Sequence, residues 1–583
     1  MAEQPVDDYG AAEHGDEPTT VCGAFGDLRD YHRQRAADMA HRAQAEGVDL
    51  RVHTDHLGAV VYGNSALQIA QHEGGELAAA WNAAGGVAGE PLHSEWTRTA
   101  RTWDACGFRI KDGTGLVHGS VSGAQVLYVH IQDAVVFFST RLRWLADTME
   151  ILTPDWQSWS EIIAFGAPLE GRTTFAEFRR LMPMEYVSLD TVGQPQLRQG
   201  HWPWEDYTPR EPAKLEDITH QTVEEMAADM RPYLQAGGPV NPMLSGGRDS
   251  RMLTALALRE TPDPEKVTAW TTSSDAGSAL EELVGAKVAQ RLGVPQRLVV
   301  GSYAGFGQDF KRYADAVDYQ ASFHFWLTPV AEELRHQAGP VFDGLGGGVL
   351  LGGGFADPPD AESMSTEELV DARIAARTRY LTAAPKVFTG AGAEAVSSRI
   401  RHRAVPLVQQ YLDHPNGHTL AAYRLRSVPG IAQAPARVLG GARPTVMPMI
   451  SDAVARLALE LPHRVKADGA WYPDLLAASD PRLRGMATAD DLVGTHHHKR
   501  RIASREGAGF LAALIQGSEV RQLLSATLAE ADPQDPHGLV VWQRLLNSQR
   551  SQHLIRGLAV LALWLEDYAS QLTETDPRRI LDA

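Results

Sequence analysis

Residues 240–259 read VNPMLSGGRDSRMLTALALR, and their pattern decides the fold. Val240 to Leu244 has the length and apolar character of a short buried strand, and Gly246-Gly247 reads as a turn. Ser250 to Arg259 then places Met252, Leu253, Leu256 and Ala257 on one side of a helix. The alternation continues downstream, with a strand at Val267 to Thr271, a helix at Ala279 to Leu292 and a strand at Arg297 to Val300. This order predicts a parallel sheet with helices on its faces. The loop Met243 to Arg251 falls between the first strand and the first helix. Glycines there let the backbone come close to a ligand, and amides at a helix N-terminus point at an anion. Ser245 and Ser250 add hydroxyl donors, and Asp249 is a hard oxygen ligand suited to magnesium alongside phosphates. The plainer reading is a βα loop with Gly at its turn and Asp or Ser capping the helix. The strand–loop–helix setting and the order S-G-G-x-D-S favour the anion site. No Lys follows in the position that a G-x-x-x-x-G-K-[ST] loop requires.

Working outward, Leu215, Ile218, Thr222, Met226 and Met230 recur at helical spacing. Before them, His201 to Pro212 (HWPWEDYTPREP) is rich in Pro and charge and is the candidate linker. The preceding 180 or so residues read as strand-rich. Gln125 to Thr140 predicts a hairpin turning at Gln132-Asp133, a helix is expected near Trp156 to Phe165, and Met184–Leu189 with Gln196–Gln199 predicts a second hairpin around Gly193. Residues 1–19 lack apolar periodicity and read as a disordered tail. Beyond about residue 360 the chain reads as mainly helical, and Gln549 to Tyr568 fits a buried C-terminal helix.

Composition narrows the function. Among 583 residues, 54 Lys and Arg face 73 Asp and Glu, a net charge of −19. That argues against a nucleic-acid binder and against attachment to anionic membranes by charge. The two cysteines, Cys22 and Cys106, exclude a disulfide scaffold and a cysteine-rich zinc site. The acidic N-terminus is no signal peptide, and the apolar run Gly557 to Leu565 is far short of a membrane span. A soluble, cytoplasmic protein is expected.

SGGRDS, Ser245 to Ser250, resembles the pyrophosphate loop of ATP pyrophosphatases. The form LSGGRDSR is similar to that of the asparagine-synthetase-like enzymes, most closely the lasso-peptide cyclases, or macrolactam synthetases. Phe342 to Gly354 (FDGLGGGVLLGGG) is similar to the second glycine-rich signature of that family, and Glu282 to Ala289 resembles the helix after its adenine-binding strand. His324-Phe325-Trp326, ahead of Pro329, and the C-terminal SQHLIRGLAVLALWLEDY also look like lasso cyclases. Gly166 to Tyr186 resembles the end of the glutaminase-type domain of asparagine synthetases, and Cys22 to Gly26 resembles its opening C-G-I-x-G. The resemblance covers residues 20–575. It implies a degenerate, β-rich Ntn-glutaminase-like (α+β) domain at 20–208 and an asparagine-synthetase-type α/β domain, with the parallel sheet and pyrophosphate loop, at 209–583. Active glutaminases use the amine of an N-terminal Cys as base. Here 21 residues precede Cys22, so it is expected to be a structural remnant, and Cys106 a core residue.

The resemblance implies ATP and Mg2+ as cofactors and two steps in one site. A substrate carboxylate attacks the ATP α-phosphorus, and an amine then attacks the acyl-adenylate, releasing AMP. In lasso cyclases the amine is the peptide's own N-terminus and the carboxylate an Asp or Glu side chain. The substrate would be a leaderless or leader-processed precursor peptide, with a leader protease and a leader-recognition protein as possible partners. Leu244, Ser245, Gly246, Gly247, Asp249 and Ser250 would hold pyrophosphate, Thr271 and Thr272 would lie at the adenine, Asp343 and Gly344 would line the pocket, and Asp249 and Glu282 would serve the metal. One departure stands out: aligned on Gly352-Gly353, the family's second magnesium-binding Asp becomes Gly348, with Asp343 five residues earlier. His497 to Gly509 resembles the family's R-x-K-x-x-x-x-[ED]-G block. Its catalytic cation falls on Arg501 without a gap, or on Lys499 with a two-residue shift, which is slightly preferred. The distinction matters because Arg grips phosphate bidentately but does not readily donate its proton. His496 to His498 reads as a loop near the site rather than a zinc centre, since no further ligands accompany it. Two alternatives share the chain's features: a small-molecule amidotransferase or β-lactam synthetase of the same fold, and a peptide-binding scaffold with a degenerate nucleotide site.

Overall fold

The computed structural model describes residues 17–56, 58–71, 75–87, 104–190, 193–235, 237–273, 279–489, 491–492 and 501–581. The expected disordered tail lies almost wholly outside them. In the first part of the chain two antiparallel sheets pack face to face. The six-stranded sheet runs Arg179–Arg180, Tyr128–Gln132, Val135–Ser139, Val21–Gly26, Ala59–Gly63, Arg51–His56. The other sheet has seven strands, with Cys106–Lys111 between Leu77–Asn82 and Thr114–His118. Strand alternation sends Val21 and Phe25 into the inter-sheet core with Trp81, Cys106, Phe108 and Phe138. Cys22 and Ala24 point the other way, into the core shared with the helix Asp30–Ala45.

The first hairpin forms one residue later than the sequence suggested. Gln132 pairs with Val135, so the two-residue turn is Asp133-Ala134, and Asp133 takes the positive φ of 53° that a tight hairpin turn requires. The second hairpin pairs Glu185–Leu189 with Gln196–Gln199 as expected. The helix Trp156–Phe165 forms as expected, with the Asp155 side chain accepting from the Ser158 amide at its start and Gly166 in the left-handed conformation at its end. It lies on the C-terminal helix Gln549–Tyr568 so closely that a methyl group on Gly557 would come 2.9 Å from the Ile163 Cα. Trp159 and Trp564 meet there at 5.1 Å between ring centroids. One continuous core therefore runs from Cys22 to Ile580. The stretch read as a linker is part of it: Trp202 and Trp204 are buried and stacked 5.3 Å apart, and Trp204 lies 4.7 Å from Tyr423. Their apolar surface outweighs the Pro and charge content that suggested a free connection.

Beyond the helix Leu215–Leu234 the predicted alternation appears as a parallel sheet. Asn241–Pro242 pairs with Val341–Phe342, which pairs with Thr445–Val446. On the other side, single bridges from Val240 to Val267 and from Met243 to Trp270 join it to Ala269–Thr272, which pairs with Gln296–Val299. Counted along the chain, the strand order is 3-2-1-4-5. The helices Asp249–Glu260 and Ala279–Leu292 occupy their predicted places, and the remainder is mainly helical. Among the described residues no helix is long and apolar enough to cross a membrane.

Candidate active site

In an order of 3-2-1-4-5 the first and fourth strands lead away in opposite directions, and a crevice opens at their carboxyl ends. Asn241–Pro242 delivers Ser245 to Ser250 into that crevice, and Val341–Phe342 delivers Asp343 and Gly344. A cavity of about 500 Å³ opens there, lined by Leu244, Ser245, Gly247, Asp249, Ser250, Thr271, Thr272, Asp343 and Gly344.

The glycine loop is preshaped from within. The Ser250 hydroxyl accepts from the Ser245 amide at 2.9 Å and lies 3.0 Å from the Ser245 hydroxyl, which accepts from the Gly247 amide at 3.1 Å. Arg251, wholly buried, donates to the carbonyls of Gly246, Met486 and Ala487 at 2.8 to 3.0 Å and so clamps the loop to a distant segment. Glu281 accepts from the Gly246 amide at 3.1 Å, so a carboxylate holds the place that a phosphate oxygen would take on that amide. It is Glu281, not Glu282, that lines the cavity. Glu282 is buried and bonded to the Ser273 hydroxyl. Successive helical residues point about 100° apart, so only one of the pair can face the crevice. Thr271 and Thr272 line the cavity while donating their hydroxyl protons to the carbonyls of Leu244 and Trp326.

Two carboxylates face this loop. Asp249 accepts from the Tyr472 hydroxyl, and Asp343 accepts from the Leu345 amide at 2.9 Å. Burial pushes both carboxyl groups up to about 6; for Asp249 the Tyr472 hydrogen bond opposes the rise and the charge of Asp343 adds to it. Among the described residues neither is paired with a guanidinium or ammonium group. The Arg248 charge acts on Asp249 without pairing with it, and two desolvated carboxylates that repel one another suit a divalent cation, which removes the repulsion that raises their proton affinity. No cluster of three or more His, Cys, Asp or Glu forms among the described residues, so a dedicated protein cage is not built. Magnesium does not need one, since it keeps waters and takes one or two carboxylates plus phosphate oxygens. Asp249 and Asp343 therefore fit the ion. Gly348 opens into the cavity with no atom within 4 Å of where a side chain would begin, and Asp343 is the second carboxylate that lines it.

Of the two cation candidates, Arg501 lies among the described residues. Arg501 is buried, bonded to Asp309 and, at 3.1 Å, to the Ser302 carbonyl, and it packs 5.5 Å from the Phe306 ring centroid. It does not line the cavity. Lys499 and the triplet His496 to His498 lie outside the described residues. Several cavity residues had no sequence signal assigning them a role: Glu281, Arg426, Phe355 and, behind Asp249, Tyr472. They come from three helical segments and a loop, and only the fold brings them together.

Crevice, glycine loop and the two carboxylates together describe a concave site at the strand switch point of an α/β fold. Comparison with known proteins narrows this. Residues 224–433 match the family model named Asparagine synthase, which supports ATP-dependent amide-bond formation in general. The matched segment includes both glycine-rich loops and ends before Lys499 and Arg501. No curated protein matches the chain.

Proposed function

We propose that this protein is an AMP-forming, ATP-dependent amide ligase that closes a macrolactam ring in a ribosomally made peptide of the lasso type. The observation that carries the reading is the pairing of the Ser245–Ser250 loop with Asp249 and Asp343 at the strand switch point, inside the segment that matches Asparagine synthase. In this reading Ser245, Gly247 and Ser250 hold the departing pyrophosphate, and the Gly246 amide joins them once Glu281 releases it. Thr271 and Thr272 place the adenine end, and Asp249 and Asp343 hold magnesium. Bound there, the ion would neutralise charge that develops on the phosphates during in-line attack. The substrate carboxylate attacks the α-phosphorus and pyrophosphate leaves; the peptide's N-terminal amine then attacks the acyl-adenylate, losing a proton, and AMP leaves. Holding both peptide groups in one cavity makes the second step intramolecular. Lys499 is the proposed cation for the first step.

Cys22 supports an amine supplied by the substrate rather than ammonia from glutamine. It lies mid-strand, paired in register with Ser139 and Tyr62, and it is fully buried. Burial raises its thiol far above the ordinary range, so no thiolate is available for nucleophilic work.

The test is incubation with ATP, magnesium and a leaderless candidate core peptide. The expected result is AMP release with loss of one water from the peptide. AMP release without any change in peptide mass would overturn the cyclase reading. A leader protease and a leader-recognition protein are proposed as partners that prepare the substrate.

A further inference from the structure

The cavity carries a second chemistry, away from the phosphate loop. Arg426 reaches it from the helical segment Tyr423–Ile431, whose turns are wider than an α-helix: the Ala432 amide bonds back five residues to the Ser427 carbonyl at 2.9 Å. Such widened turns recur at functional sites. The Arg426 guanidinium lies 5.5 Å from the Phe323 ring centroid and 5.3 Å from that of Phe355, and it donates to the Tyr380 hydroxyl at 3.3 Å. No carboxylate of the described residues is paired with it. Arg379 lies 5.5 Å from the Tyr380 ring centroid, and Arg556 lies 6.0 Å from that of Trp326, so three guanidiniums gather at this end of a chain whose net charge is −19.

His324 lines the cavity alongside Arg426. It holds φ 59° and ψ 27°, a left-handed conformation that His, like Asn and Asp, adopts more readily than other non-Gly residues, and its ring lies 5.0 Å from Trp326. Burial, with Arg426 and Arg556 adding to it, pushes His324 down to about 3, so it faces the cavity as a neutral ring. Strain of this kind persists where surrounding structure enforces it, often at ligand sites. The neighbouring wall is apolar: Trp326, Phe355, Ile431 and Pro435.

A largely desolvated guanidinium without an acid partner is costly unless a ligand supplies the anion. Its planar fork matches a carboxylate with two parallel hydrogen bonds. We propose that Arg426 anchors a carboxylate of the acyl substrate, with His324, Trp326 and Phe355 receiving an apolar or aromatic group next to it. This deepens the ligase reading and rests on it for the word substrate, while the binding claim stands by itself.

The test uses the full chain with 3-phenylpropanoate and its neutral isostere 3-phenylpropanamide as probes, measured by calorimetry with and without ATP and magnesium. A charge-assisted bidentate contact predicts that the acid binds about tenfold to a hundredfold tighter than the amide. Arg426→Gln is expected to erase that preference, Arg426→Lys to recover part of it, and both to leave ATP affinity near that of the wild type. Equal binding of acid and amide by the wild-type protein would overturn the proposal, and that comparison needs no variant. Retention of the preference in Arg426→Gln would also overturn it. Loss of ATP affinity with the acid preference intact would assign the guanidinium to nucleotide phosphates instead. A wild-type protein that prefers the acid but binds no ATP would uphold the anchor and sink the ligase reading.

Discussion

Gly347 and Gly348 are neighbours, yet a single methyl group added to each has opposite expected consequences. At Gly347 the new carbon would lie 2.3 Å from Asp249 Cγ and Oδ1, and 2.7 Å from Oδ2. Ordinary carbon contacts are about 3.5–4.0 Å, so the carboxylate must retreat by about 1 Å or the loop must open. Retreat is constrained, because Tyr472 holds Oδ1 and Gly344 lies against the Asp249 Cβ, with 2.7 Å between it and a methyl there. Misplacing a catalytic group by about 1 Å costs roughly a hundredfold in rate. At Gly348 no atom lies within 4 Å of the added carbon. Gly347→Ala should therefore lower AMP release by about a hundredfold and weaken magnesium-dependent ATP binding. Gly348→Ala should behave like the wild type in both. The assay is AMP release by chromatography and ATP affinity by calorimetry, with thermal melts to show that both variants fold. Equal losses in the two variants, or full activity in Gly347→Ala, would refute the idea that the position of Asp249 governs the site.

Asp249→Ala should abolish AMP formation, and near-normal turnover in that variant would remove the assigned metal site. Arg501→Met leaves Asp309 without its guanidinium and should lower stability by about 3–5 kcal/mol in denaturant titrations. Lys499→Ala should leave the melt unchanged and reduce kcat, and the reverse pattern would exchange the two roles. Burial pulls Lys466 down to about 7. Its folded value lies below its unfolded value of about 10.4, so the unfolded chain holds the extra proton between those limits and stability rises with pH across that window. The effect is on the order of 4 kcal/mol, and it should flatten in Lys466→Met. An unchanged slope between pH 7 and 10 would show that the ammonium is not desolvated.

The parallel sheet was legible because strand, loop and helix alternate in short apolar bursts, and the place of the glycine loop because its glycines and serines sit at one such junction. Boundaries shifted by a residue or two, as at Ala269–Thr272, because flanking turns compete for the terminal residues. The second carboxylate was half-legible: Asp343 stood in the right loop, but it takes the folded chain to bring Gly347 of that loop against Asp249. Arg426 could not be found, since nothing local in YRLRSVPG tells a buried arginine from an exposed one. At Arg501 a similar limit applies to the basic block. Its spacing fits a phosphate-gripping role, and Asp309, almost two hundred residues away, takes up its charge. The pair Glu281 and Glu282 shows the same limit on a smaller scale, because helix phase decides which one reaches the crevice.

The contact between Gly557 and Ile163 has a practical consequence for how this gene can be handled. The longest C-terminal helix spends its apolar face on a helix encoded some four hundred codons earlier, at a spacing that admits no side chain. A catalytic fragment expressed alone would present that face, Trp564 included, to water and to other copies of itself. An N-terminal half whose two thiols are both buried would still be indispensable, as the permanent lining of its neighbour. Separating the two would call for co-expression of both pieces rather than simple truncation.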